Sequence, residues 1–119
     1  MKLGLIGLGR MGQGLTERAR RGGHEMVGYD ANPAVSPTTS IADMISRLDS
    51  SPRIVWVMVP AGDVTQKVID EVASHLSEGD VIIDGGNSYY RDGVRRSEEL
   101  ARRGLRFVDA GTSGGIWGL

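Results

Sequence analysis

Lys2-Leu3-Gly4-Leu5-Ile6-Gly7-Leu8-Gly9-Arg10-Met11-Gly12 is the stretch that decides the fold. It begins as a short apolar run, the pattern of a strand covered on both faces, where polar alternation is lost. It ends as G-x-G-x-x-G, spelled by Gly7, Gly9 and Gly12. Apolar residues then recur at Met11, Leu15 and Ala19, one face of a helix over residues 11–21. Arg18, Arg20 and Arg21 stand where cations suit the helix dipole, and Gly22-Gly23 stops the helix. A glycine fingerprint alone is weak; between a strand and an opening helix it has the context that binds phosphate. The first glycine allows the tight turn, the second lets the backbone approach a pyrophosphate, and the third lets helix and strand pack closely. Free N–H groups at the helix start would face the anion. Gly7, Leu8, Gly9, Arg10, Met11 and Gly12 are therefore candidate cofactor-binding residues. The bland alternative is a glycine-rich turn that binds nothing, and the flanking elements count against it.

The period of the apolar pattern keeps switching along the rest of the chain. Glu25–Tyr29 reads as a second strand ending at Asp30. A Pro/Ser/Thr-rich loop follows, and Ser40 with Asp43 resembles a capping box for a helix over residues 41–48. Residues 53–59 are the strongest strand signal, closed by Pro60. Asp63 and Gln66 fit the start of a helix carrying Val64, Val68, Val72 and Leu76, ended by Gly79. Residues 80–84 form a fourth strand, a helix opens at Asp92 and stops at Gly104, and residues 105–108 form a fifth strand. Alternating strands and helices call for a parallel sheet covered on both faces, and right-handed crossovers make it doubly wound. The fold class is thus α/β, a Rossmann-type sheet forming one domain over residues 1–119. Ligands of such sheets bind beyond the carboxyl ends of the strands, where the strand order reverses.

Composition narrows the class. At 119 residues one domain is expected. A formal net charge of −1 gives no broad pull on nucleic acid or acidic membranes. With no cysteine there are no disulfides and no Cys-based metal sites. No apolar run approaches the roughly 20 residues that span a bilayer. The N-terminal apolar stretch is too short and glycine-broken for a signal peptide, so a cytoplasmic protein is expected. His24 and His75 share no metal-ligand spacing with acidic residues. Ser88 and Ser113 lack a histidine partner for a hydrolase triad.

Other candidates cluster at the expected strand ends. Asp30 lies 18 residues after Gly12, the place of the acid that accepts hydrogen bonds from the adenosine ribose. The same carboxylate would repel a 2′-phosphate, and no Lys or Arg follows until Arg47, so NAD is expected over NADP. An ordinary turn aspartate is the alternative there. Val59-Pro60-Ala61-Gly62 could pack on a cofactor, or Pro60 could merely end a strand. Gly85-Gly86-Asn87-Ser88 fits a tight turn as well as a bridge from Asn87 to cofactor and hydroxylated substrate. Thr112-Ser113-Gly114-Gly115 offers a hydroxyl and successive N–H groups that could hold an anion, or a plain chain end. Arg91, Arg95, Arg96, Arg102, Arg103 and Arg106 are expected on a solvated face, pairing with Glu98 and Glu99.

GLIGLGRMG, the Asp30-Ala31-Asn32-Pro33 turn, VWVMVPAGDVT, VIIDGGNSYYRD and FVDAGTSGGIWGL together resemble 6-phosphogluconate dehydrogenase, most of all its shorter, bacterial, NAD-preferring branch. The resemblance runs along the whole chain, and IDGGNS and SGG are more specific than the glycine fingerprint. It implies an oxidative decarboxylation of 6-phosphogluconate to ribulose 5-phosphate. Asp30, Ala31 and Asn32 fall where the NADP-using branch carries Asn-Arg-Thr, and Pro60 where that branch carries lysine. Val59, Pro60 and Ala61 match the nicotinamide-side loop, Asn87 the residue that touches cofactor and substrate, and Ser113, Gly114 and Gly115 the substrate-binding loop. The resemblance further implies a small sugar-acid phosphate as substrate and a homo-oligomer at full length. It also places the catalytic lysine and a helical dimerisation domain beyond Leu119, so the chain alone is expected to be inactive and Ile116, Trp117 and Leu119 to be incompletely covered. The segment between Ala31 and Pro52 is shorter than the family's, lacking a helix and a short strand. Another β-hydroxyacid dehydrogenase, such as 3-hydroxyisobutyrate dehydrogenase, and a non-catalytic NAD-binding module are the competing readings.

Overall fold

Strands and helices alternate from end to end: β1 (Lys2–Ile6), α1 (Arg10–Arg21), β2 (Glu25–Tyr29), α2 (Ile41–Ser46), β3 (Ile54–Val57), α3 (Asp63–His75), β4 (Val81–Asp84), α4 (Tyr90–Arg102) and β5 (Arg106–Asp109). This computed structural model describes residues 2–7, 10–49, 52–58, 63–85 and 90–109. Every strand pair is parallel, and the sheet order is β2-β1-β3-β4-β5. Tyr29, Ile6, Val57, Asp84 and Asp109 lie in register across it, so all five strands end along one edge. The order reverses between β1 and β3, which places the binding crevice there. The expected doubly wound sheet is therefore present, and Ile116, Trp117 and Leu119 lie outside the described residues.

Strand alternation divides the apolar side chains between two faces. Ile6, Val55, Val57 and Ile82 meet Met44 and Ile45 of α2, Ile69 and Val72 of α3, and Leu100 of α4 in one buried core. Gly4 belongs to this face: a Cβ there would come within 3.1 Å of Leu48 Cδ1 and 3.2 Å of Met44 Cε. Leu5 and Met26 are buried on the opposite face, where α1 packs. The short connection after β2 runs straight into α2, so β2 stands at the edge of the described sheet.

Local chemistry sets most element ends. At the end of α1, His24 N–H donates to Ala19 O at 2.9 Å and Gly23 takes φ +87°, the left-handed stop that the glycine pair signalled. Ser40 caps α2 by accepting from Asp43 N–H at 2.9 Å. The return half of the capping box does not form: the Asp43 carboxylate accepts from Thr39 N–H at 3.0 Å. That bond, with the Arg47 guanidinium, holds the Asp43 carboxyl below its ordinary range despite slight desolvation. α2 closes at Ser46, two residues before expectation, because Leu48 N–H turns back to Ile45 O. α3 ends at His75, and Gly79 instead serves a separate turn with φ +91°. α4 begins at Tyr90 rather than Asp92.

Asp80 organises the turn before β4. Its carboxylate accepts from Ser77 N–H at 2.8 Å, Arg53 N–H at 2.8 Å and Arg53 Nε at 3.1 Å, and the residue is 4% exposed. Burial alone would raise its pKa; the two backbone bonds and the guanidinium outweigh that and lower it from the ordinary 3.8. A depressed folded pKa contributes stability above the unfolded value, and that stability is lost as pH falls through the folded value. Asp80→Asn is therefore expected to cost about 1–3 kcal/mol at pH 7. Urea unfolding at stepped pH should show this gap closing below pH 3.8; a gap constant from pH 7 to pH 3 would contradict the assignment.

Candidate dinucleotide site

The crevice at the strand-order reversal is built on close backbone approach. Met58 N–H donates to Ile6 O at 2.8 Å and Gly7 N–H to Tyr29 O at 2.9 Å, so the chain leaves β1 bonded to both neighbours. Gly7 has φ +96°, which side chains disfavour, and a Cβ there would collide with the Met58 carbonyl. Gly12 is buried in the first turn of α1, where a Cβ would collide with the Gly7 carbonyl oxygen. The first and third glycines of the fingerprint thus have separate steric causes, and together they bring the start of α1 against the end of β1. Arg10 and Met11 form the start of that helix. Leu8 and Gly9 lie outside the described residues.

Asp30 follows β2 on the same edge. Its Oδ1 accepts from Asn32 N–H at 2.8 Å, an Asx turn that holds the carboxylate at the mouth of the loop. Its own N–H donates to Ser36 Oγ at 3.1 Å, and Ser36 Oγ donates to Thr38 O at 2.7 Å. Thr38 Oγ1 donates to Gly28 O at 2.6 Å, tying the loop to the edge strand. Asn32 Oδ1 accepts from Ala34 N–H at 3.0 Å. A hollow of about 340 Å³ opens here, walled by Tyr29, Asp30, Ala31, Pro33 and Ser36 among others. The shortened connection therefore braces its own wall beside Asp30. A second hollow of about 420 Å³ lies between α1 and β2, against Thr16, Glu17, Arg20 and Met26, away from the ends of β1 and β3.

Val59, Pro60, Ala61, Asn87, Ser113, Gly114 and Gly115 lie outside the described residues. The ends of the strands that lead to them, Val57, Asp84 and Asp109, share the edge occupied by Ile6 and Tyr29. Arg96 corrects the expectation of a solvated arginine face: it is 3% exposed and its Nη1 donates to Asp84 Oδ2 at 3.4 Å. It stands four residues before buried Leu100, so it falls on the inward side of α4. That spacing was the available signal. Gln66, expected at a helix start, accepts from Arg96 Nε at 2.7 Å. Among the described residues no group of acidic and histidine side chains could hold a metal ion, and no helix is long and apolar enough to cross a membrane.

A parallel sheet with two glycines packed at its reversal point and an acid at the end of β2 is a Rossmann-type dinucleotide-binding domain, the coenzyme-binding unit of dehydrogenases. The sequence profile of the NAD binding domain of 6-phosphogluconate dehydrogenase matches residues 2–119, and the chain belongs to that family. It is 42% identical to the NAD(+)-dependent, decarboxylating 6-phosphogluconate dehydrogenase of Haloferax volcanii over 97% of its own length and 40% of that protein's. The Plasmodium falciparum 6-phosphogluconate dehydrogenase superposes with TM-score 0.73 at 27% identity, covering 99% of this chain and 28% of that one. A Mycobacterium tuberculosis 3-hydroxyisobutyrate dehydrogenase superposes with TM-score 0.82 at 23% identity, over 98% of this chain and 42% of that one, a likeness of fold alone. The chain thus spans less than half the length of these relatives.

Proposed function

We propose that the chain is the coenzyme half of an NAD-preferring, decarboxylating dehydrogenase acting on 6-phosphogluconate. The observation that carries the coenzyme choice is Asp30, held by Asn32 N–H at the end of β2 with Ala31 beside it. The Haloferax relative is named for NAD(+), and the Plasmodium structure is described with NADP+ and with 6-phosphogluconate. Both Asp30 oxygens can accept several hydrogen bonds, enough to receive a ribose diol. The glycine turn and the start of α1 would hold the pyrophosphate. The bound dinucleotide would supply the hydride acceptor. Asn87 would bridge it to the substrate, and Ser113, Gly114 and Gly115 would hold an anionic substrate group.

Proton abstraction from the substrate hydroxyl needs a base within reach. Neither lysine is among the residues assigned to the site. Lys2 opens β1 at the opposite edge, with Nζ 3.6 Å from Glu25 and 3.4 Å from Asp49, and Lys67 is exposed on α3. The roles assigned to this chain's residues are therefore the binding of coenzyme and substrate.

The selectivity can be sized. A charge-assisted hydrogen bond from the ribose contributes roughly 1.5–3 kcal/mol. Against a 2′-phosphate, two unit charges about 4 Å apart at an effective dielectric near 20 repel by about 4 kcal/mol. Movement and counterions recover much of this, leaving a preference of about 1–3 kcal/mol, or roughly 5- to 150-fold. Asp30→Ala should weaken NADH binding and narrow its gap to NADPH in parallel fluorescence titrations. A variant that keeps the unmodified affinity for NADH would remove Asp30 from the site.

A further inference from the structure

Asp84, the last residue of β4, is fully buried, and Arg96 reaches it from the middle of α4. The same guanidinium donates from Nε to Gln66 in the first turn of α3, whose amide nitrogen donates to Asp70 Oδ1 at 2.9 Å. One planar fork therefore ties β4, α3 and α4 together, and its fixed geometry sets two acceptors at once. A well-packed apolar pair would often stabilise the fold as well as a buried ion pair does, so stability alone does not account for it. Gly85, directly after Asp84, donates its N–H to Val57 O at 2.9 Å, and a Cβ there would run into Met58 and Trp56. The chain leaving β4 is thus gripped by β3 through its backbone and by α4 through the Asp84 side chain. In a doubly wound sheet the two mononucleotide halves lie on either side of the strand-order reversal. Asp30 marks the adenosine half beyond β2, so the nicotinamide half lies beyond β3 and β4.

We propose that Arg96 is a positioning residue for the nicotinamide half of the site: by holding Asp84 and Gln66 it fixes where the chain leaves β4 and where α3 begins. The inference rests on the dinucleotide reading and assigns within it a role that Arg96 plays through Asp84 and Gln66. The test titrates the 119-residue chain and its Arg96→Met, Arg96→Lys and Gln66→Leu variants with NADH and with ADP-ribose, which lacks the nicotinamide. Arg96→Met is expected to weaken NADH roughly tenfold while leaving ADP-ribose within about twofold. Arg96→Lys should fall between it and the unmodified chain. Gln66→Leu, which keeps the ion pair, should shift NADH in the same direction by less. If Arg96→Met fails to fold, these two milder variants carry the same comparison. Equal weakening of both ligands in folded variants, or unchanged NADH affinity, overturns the positioning role alone. An unmodified chain that binds neither ligand overturns the dinucleotide reading and this inference with it.

Discussion

Gly12→Ala is expected to weaken NADH binding by about 100-fold, close to 2.7 kcal/mol. The added methyl would occupy the space of the Gly7 carbonyl oxygen, with Gly7 C 3.2 Å away and Leu5 Cδ2 3.7 Å away. Both backbone neighbours are fixed: Gly7 N–H is bonded to Tyr29 O, and Ile6 O to Met58 N–H. The start of α1 would have to move off β1, carrying its free N–H groups away from the pyrophosphate position. Positions of this kind tolerate displacements of only about 0.5 Å. Gly14→Ala is the matched control. Nothing lies within 4 Å of its Cβ position, and it is exposed on the same helix. That change should keep NADH affinity and raise stability by about 0.5–1 kcal/mol, since alanine favours helix over glycine. Fluorescence titration with urea unfolding checks both variants, and equal NADH binding by them would refute the close-packing role of Gly12.

The second large effect is on folding. Asp84→Val should destabilise the chain by about 3–5 kcal/mol, because it strips the carboxylate from a guanidinium already out of water. Asp84 has no exposed surface and Arg96 is 3% exposed, so solvent offers little compensation. The double variant Asp84→Val/Arg96→Met should recover most of the loss, since a paired apolar replacement often matches a buried ion pair. Denaturant unfolding of the single and double variants measures both. A single-variant loss below about 1 kcal/mol, the range of an exposed pair, would contradict the burial argument.

Arg96 also marks where sequence reading stopped. Its local neighbours, Glu98 and Glu99, suggested a solvated ladder, whereas its partners stand 12 and 30 residues upstream on other elements. Charge pairing within a helix is readable from spacing; pairing across a sheet needs the register. Asp80 is a similar case, since its three donors come from the turn before it and from the residue preceding β3. By contrast, β1, the glycine turn and α1 were legible because their causes are local: an apolar run, two steric requirements for glycine, and a glycine stop at residues 22–23. The end of β2 at Asp30 was legible for the same reason. The end of α2 fell two residues early, at Ser46, because a turn bond from Leu48 N–H to Ile45 O decided it. The internal bracing of the Asp30 loop by Ser36 and Thr38 carried no sequence signal stronger than its Ser/Thr content.

The central claim, that this chain is an NAD-binding domain selective through Asp30, is tested most directly by calorimetric titration of the unmodified chain with NADH and with NADPH. The account predicts one NADH bound per chain and NADPH weaker by roughly 5- to 150-fold. Equal affinity for the two would contradict selection by Asp30, and no binding of either would contradict the assignment of the glycine turn itself.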